Sequence, residues 1–322
     1  MDNLTHSLVG WTLGQAGLKR KTRKGLAALI LGANAPDIDV FFGWAPWAPL
    51  STHRGVTHSL VGGVLVLPIL LAGLLWLLDR WQDRRGTEFK SGLPMRFGWL
   101  VTLSYLGCLT HPLLDWQNSY AVQFLSPFDN RWFHNDALFI LDPWIWAGLG
   151  LAIWLSRRRE RSEHYNWEQP AKVALAGMVA YIAGNGAVSS FVKNETQMSE
   201  PYANPDVIVA TPPPVQFWRR EVIWRQDGAI ARGIYDPFRS PIGLVSYTPP
   251  EPDGMADTLA RRAIAASPEV LDFMRWSLLP MAQVRRQGCT ALVHFQDARF
   301  GRGPTVRIMS LAVEVPSGAD GC

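Results

Sequence analysis

The sequence predicts a mainly α-helical polytopic membrane domain followed by a small α+β soluble domain. Three observations lead there. Hydrophobic residues make up 48% of the chain and charged residues only 18%, which is little charge for a soluble domain. The apolar residues are bunched within residues 1–192, in runs that approach the roughly 20 residues a bilayer crossing needs. Beyond Lys193 the long runs stop, and short strand-like segments punctuated by turn residues take over. The boundary is therefore placed between a membrane-embedded domain, 1–192, and an extracytoplasmic domain, 193–322.

Taken in order, Leu4–Leu18 is an apolar stretch that holds His6 and is short for a crossing. The run Lys19-Arg-Lys-Thr-Arg-Lys24 follows. Gly25–Trp44 is interrupted by Pro36, which lacks a backbone donor and ends or kinks a helix. The Trp- and Pro-rich Gly43–Leu50 reads as an interfacial loop. Thr57–Leu78 is a spanning helix capped by Ser51 or Thr57. Phe97–Trp116, Ala137–Leu155 and Ala171–Val192 are further spans, giving five or six membrane segments in all. Gly and Ala spaced along the last suit close helix contacts. In the second domain, Val207–Ala210, Val215–Trp224, Ala229–Tyr235, Ala291–Gln296 and Thr305–Val315 read as strands, with a turn at Asp227-Gly228. Met255–Ala266 and Pro268–Leu278 read as helices.

Charge fixes an orientation and removes one class of partner. The net charge is +4, yet residues 195–322 are near neutral, and the excess lies in three runs between apolar segments. Such runs orient a membrane protein and do not build a phosphate-binding face, so no nucleic-acid partner is expected. Residues 19–24, 79–96 and 156–172 carry five Lys/Arg each, whereas the alternate connections carry only Arg54 and Arg131. The basic connections are expected in the cytoplasm and the C-terminal domain outside it. The basic run follows the first apolar stretch instead of preceding it, so no cleavable signal peptide is expected. Of the three cysteines, Cys108 reads as a core residue. Cys289 and Cys322 would face an oxidising compartment, where they are free to pair. No Cys-x-x-Cys occurs, which argues against a thiolate zinc site.

That orientation puts four polar clusters at one level. They are Pro36-Asp37-Ile-Asp39, His53-Arg-Gly-Val-Thr-His58, His111-Pro-Leu-Leu-Asp115 and Asp136 with Asp142. Each has a plainer reading by itself. Asp37 and Asp39 fit a solvated turn, Asp142 before Pro143 fits a helix cap, and a lone histidine more often bonds a neighbouring helix than a metal. Together, ionisable groups at membrane depth call for a reason. His and Asp ligate a divalent metal, zinc by ligand type, and a metal makes hydroxide available near neutral pH. The expected ligands are His53, His58, His111 and Asp115, with Asp37 a further one and His6 a weaker one. His111 and Asp115, four apart, share a helix face. His53 and His58, five apart, do not. Asp39 or Asp136 would take the proton of the attacking water, and Arg54 would stabilise developing negative charge. A site at headgroup level beside Trp44, Trp47 and Trp116 meets the lipid bilayer first, so a lipid-like ester or phosphoester is the expected substrate. The alternative is a non-catalytic integral membrane binding or accessory protein whose clusters only tie helices together.

At these residues the sequence resembles the bacterial membrane-bound, LexA-regulated metal-dependent hydrolases. The matching elements are Asn3-Leu-Thr-His6-Ser, Pro36-Asp37-Ile-Asp39, His53-Arg-Gly-Val-Thr-His58-Ser59 and His111-Pro-Leu-Leu-Asp115. Ser126-Pro-Phe and Asp136–Pro143 are similar to longer members. The resemblance covers most of residues 1–192 and implies a protein of the bacterial inner membrane with a metal-dependent hydrolase activity. It assigns no role to the C-terminal domain.

Overall fold

A computed structural model describes residues 1–41, 53–199, 203–300 and 309–317. The chain divides into two compact units. One comprises Met1–Phe42 and Arg54–Gly186, the other Gly43–His53 and Ala187–Cys322. Trp44 and Trp47, Ser51, Thr305 and Cys322 lie outside the described residues.

In the first unit, α1 (Asn3–Gln15) starts at Asp2, whose carboxylate accepts the Thr5 amide at 3.0 Å. Helix α2 (Gly25–Asn34) passes directly into a 3₁₀ stretch, Ala35–Phe41. The change falls at Pro36, as the missing donor requires. A 3₁₀ turn at Val56–His58 leads into a π-helical segment, Leu60–Val66, and then α3 (Leu67–Arg84). Ser59 caps the π segment by accepting the Gly62 amide at 3.0 Å. Thr57, a cap by expectation, instead donates its hydroxyl to Asp39. Helix α4 is Phe97–Asp115 and α5 is Pro143–Arg161. The last helix, α6 (Gln169–Met198), runs on from the first unit into the second.

Among the described residues, three helical segments are long and apolar enough to cross a membrane: Leu60–Arg84, Phe97–Asp115 and Gln169–Met198. Helices α1 and α2 have 13 and 10 residues, short of the roughly 20 a crossing needs. Helix α5 begins six residues later than the expected span, because Asp142 accepts the amides of Trp144 and Ile145 at 3.0 and 3.1 Å and Pro143 takes the first helical position. Its last turns are Arg157–Arg161.

Two features of this unit place the site. Helices α1, α2 and α4 approach closely: a Cβ at Gly10 or at Gly107 would lie 2.7 Å from the Leu29 carbonyl oxygen. The three basic connections also meet at one end. Arg23 pairs with Asp79 at 2.6 Å, Lys19 pairs with Glu160, and the Arg96 amide donates to Thr22 at 2.8 Å. Arg96 immediately precedes α4, so 19 residues of helix separate that end from Asp115. At 1.5 Å per residue this is about 28 Å, close to the thickness of the bilayer hydrocarbon.

The second unit contains two antiparallel sheets. The first has β1 (Val207–Thr211), β2 (Arg220–Gln226), β3 (Ala229–Tyr235) and β4 (Ser246–Tyr247) in that order, with β5 (Glu251–Pro252) also on β3. The second has β6 (Pro280–Gln287), β7 (Thr290–Asp297) and β8 (Ser310–Pro316), and α7 (Thr258–Ala266) and α8 (Pro268–Trp276) precede it. The β2–β3 turn is at Asp227-Gly228, both with positive φ (51° and 74°), as a tight hairpin demands. Alternation sends Val209, Ile223 and Ile230 into one core with Leu279 and Met281, and Ala210, Val222 and Trp224 into another with Val192. Strand β2 starts at Arg220, not Val215, and β6 is a strand that the sequence reading passed over. Cys289 is disulfide-bonded and Cys108 is a buried free thiol.

Candidate metal centre

Three segments supply the centre. The proline-induced 3₁₀ stretch after α2 carries Asp37 and Asp39. The turn before α3 carries Arg54, Thr57 and His58. The end of α4 carries His111 and Asp115. One ligand atom from each of Asp37, His58, His111 and Asp115 falls within 4.8 Å of the others. His111 Nε2 lies 3.2 Å from Asp37 Oδ1, 3.5 Å from Asp115 Oδ2 and 3.0 Å from His58 Nε2. His58 Nε2 lies 3.3 Å from Asp37 Oδ1 and 3.4 Å from Asp115 Oδ2. His58, His111 and Asp115 are completely buried.

Hydrogen bonding fixes where the protons are. His111 Nδ1 is 2.6 Å from the Ala33 carbonyl, which only accepts, so the hydrogen is on Nδ1 and Nε2 bears a lone pair. His58 Nδ1 is 3.4 Å from Asp39 Oδ2, an acceptor, so in the neutral ring the hydrogen is on Nδ1 and Nε2 is the nitrogen able to ligate. Two imidazole lone pairs thus face two carboxylate oxygens in a buried space. Arg54, with Nε 3.0 Å from Asp115 Oδ2, offsets part of the negative charge, and the convergence of two imidazole nitrogens and two carboxylate oxygens in a buried space fits a divalent metal. Two His nitrogens and two carboxylate oxygens suit zinc or a related ion.

Asp39 stands behind His58. Its Oδ2 accepts the Thr57 hydroxyl at 2.6 Å and the Arg54 amide at 3.1 Å, besides facing His58 Nδ1. A carboxylate so placed would support His58 as a metal ligand. Arg54 is also committed. Its backbone is left-handed (φ 65°), Nε lies 3.0 Å from Asp115 Oδ2, Nη1 donates to Asn118 Oδ1 at 3.0 Å, and the guanidinium sits 4.5 Å over the Tyr120 ring. The sequence assigned no site role to Asn118, Tyr120 or Thr57, although Asn118-Ser-Tyr, three residues beyond Asp115, is a signal that could have found two of them.

The remaining residues fall into place differently. His6, in the first turns of α1, is fully buried and stacks on His111, with ring centroids 3.7 Å apart and planes 14° apart. Its Nε2 is 3.4 Å from Asp115 Oδ1, and the Met1 amino group also meets Oδ1. His53 falls in the second unit. Asp136 is bound to His134 at 2.9 Å. Asp142 caps α5 and accepts the Tyr181 hydroxyl at 3.0 Å, so its plainer reading holds.

Apolar helices of crossing length around a buried His/Asp cluster define a helical membrane protein with a candidate metal centre. Residues 1–192 match the YdjM inner membrane protein family, and the chain belongs to that family, which is linked to LexA-regulated membrane proteins. The chain is also similar to the uncharacterized protein YfhP of Bacillus subtilis (strain 168), at 27% identity over 165 residues, which is 48% of this chain and 46% of YfhP. It thus spans about half the length of that relative. No solved structure matches.

Proposed function

We propose that the protein is a metal-dependent hydrolase of the bacterial inner membrane that acts on a lipid-like ester or phosphoester at the outer face. One observation carries the reading: the Nε2 atoms of His58 and His111 meet at 3.0 Å between Asp37 and Asp115, with all four ligand atoms within 4.8 Å of one another. A divalent ion there would supply Lewis acidity toward a phosphoryl or carbonyl oxygen and would acidify water. Asp37, His58, His111 and Asp115 hold it. Asp39 orients His58, and Arg54 holds Asp115 in place while adding positive charge beside the cluster. Asp39 is thereby occupied, and Asp136, bonded to His134 at 2.9 Å, is the other carboxylate proposed for the water proton. The substrate class rests on location: the centre lies at one end of apolar helices, where amphiphiles arrive first.

The topology that goes with this has five or six membrane segments, basic connections in the cytoplasm and residues 193–322 outside. The gathering of residues 19–24, 79–96 and 156–172 at the end remote from the centre supports it. The test incubates reconstituted, metal-loaded protein with membrane lipid extract and follows products by mass spectrometry. Turnover by the wild type and its loss in Asp115→Ala are expected. No turnover of any lipid, or equal turnover by the variant, would defeat the hydrolase reading.

A further inference from the structure

His6 has a geometry that a single-ion centre does not use. A metal bound by an imidazole nitrogen lies in the plane of that ring. Two rings that share one ion have planes that both contain it, and if those planes are nearly parallel they must nearly coincide. The rings of His6 and His111 are nearly parallel, 14° apart, but stacked with centroids 3.7 Å apart. They do not coincide, so their in-plane lone pairs run side by side to two different points. Asp115 is turned to serve both. Its Oδ2 faces His111 and His58, and its Oδ1 faces His6 Nε2 at 3.4 Å. Both ring nitrogens of His6 lack a hydrogen-bond partner, although the side chain is fully buried. Leaving such groups buried and unpaired is unfavourable.

We infer that the centre is built for two divalent ions, with Asp115 as the carboxylate bridge. His58, His111 and Asp37 hold the first ion, and His6 binds the second. The ring spacing matches the roughly 3.5–4 Å between ions in two-metal hydrolytic sites. Substrates suited to such a pair are phosphoesters, whose attacking and leaving oxygens two ions clamp together.

This inference rests on the metal reading above, and the test separates the two. Full-length protein is purified in detergent, loaded with Mn²⁺, freed of excess metal, and assayed for metal content and by electron paramagnetic resonance. About two equivalents per chain and a spin-coupled multiline spectrum are expected, the signature of carboxylate-bridged ions at this separation. His6→Ala is expected to hold about one equivalent with an isolated-ion spectrum. One uncoupled ion in the wild type, unchanged in His6→Ala, would overturn the two-ion inference while leaving the metal reading standing. No bound metal in either protein would overturn both. The wild-type spectrum decides the question even where the variant does not fold.

Discussion

Asp37 and Asp39 are two residues apart and do different work. In the sequence they are an undivided pair after a proline, and nothing in Pro-Asp-Ile-Asp says which one ligates. The 3₁₀ path decides it, sending Asp37 to the Nε2 atoms and Asp39 to the Nδ1 side of His58. Asp39→Asn is therefore expected to leave the fold intact and weaken metal binding by roughly 10–100-fold, the usual penalty for losing a ligand's support. Chelator competition measures this, and wild-type affinity in the variant would refute the orienting role. His111 and Asp115 were legible because four residues make one helical turn. The Arg54–Asp115 contact was not, because loop residues far apart in sequence carry no period. At residue scale the second unit offers a separate pH prediction. Burial by itself would raise the Asp297 carboxyl, but Arg299 at 2.8 Å, with the Ser277 hydroxyl and the Leu278 amide, holds it below the usual carboxylate range. Its folded value lies below its unfolded one, so the stabilisation is full above about pH 4 and is lost as pH falls through the lower, folded value. Amide protection factors in the β6–β7 ladder, exchange rates corrected for their intrinsic pH dependence, should fall on acidification in the wild type. In Asp297→Asn they should be lower at neutral pH and change less with acid.

At the scale of elements, the centre depends on how tightly α4 lies on α2. A Cβ at Gly107 would come within 2.7 Å of the Leu29 oxygen and 3.1 Å of the Ala33 amide nitrogen. Both are backbone atoms and cannot swing aside. His111 is one turn further along α4, and its Nδ1 bond is to the Ala33 carbonyl on the same stretch of α2. Gly107→Ala should therefore shift α4, cost about 1–3 kcal/mol as overpacking does, and reduce bound metal as well. Gly177, which has nothing within 4 Å of its built Cβ, is the matched control. Gly177→Ala should keep its metal and its thermal midpoint in detergent. If the two variants behave alike, the close α2–α4 approach does not position the site. Apolar runs revealed that these helices exist but not where they start. Residues 137–142 are as hydrophobic as a helix, and only the Asp142 cap shows that α5 begins after them. The π segment at 60–66 is apolar on all sides, so it offered no period to read. Strand β6 was missed because Arg285 and Arg286 break its alternation.

Across the whole molecule, the orientation follows from where positive charge can rest. Lys and Arg are held back from translocation, and the sequence alternates basic and nearly uncharged connections without a break. The fold adds that residues separated in sequence by up to about 140 positions, such as Lys19 and Glu160, close one basic end. The His/Asp centre lies a helix length away along α4. Both support the proposed placement of the centre at the outer face. What the sequence left open is the part played by α1 and α2, which are too short to cross yet supply His6, Asp37 and Asp39. Short helices of this kind are tolerated at membrane depth when other helices bury them, and Val9 and Leu29 are both buried. A reporter active only in the cytoplasm should be silent when fused after Val192 and active when fused after Arg85. A reporter that needs an oxidising compartment should give the opposite pair of results. Activity of the cytoplasmic reporter after Val192 would move the second unit to the other side. Activity of the oxidising-compartment reporter after Arg85 would invert the first unit, place the centre on the cytoplasmic face, and require its substrate to come from the inner leaflet.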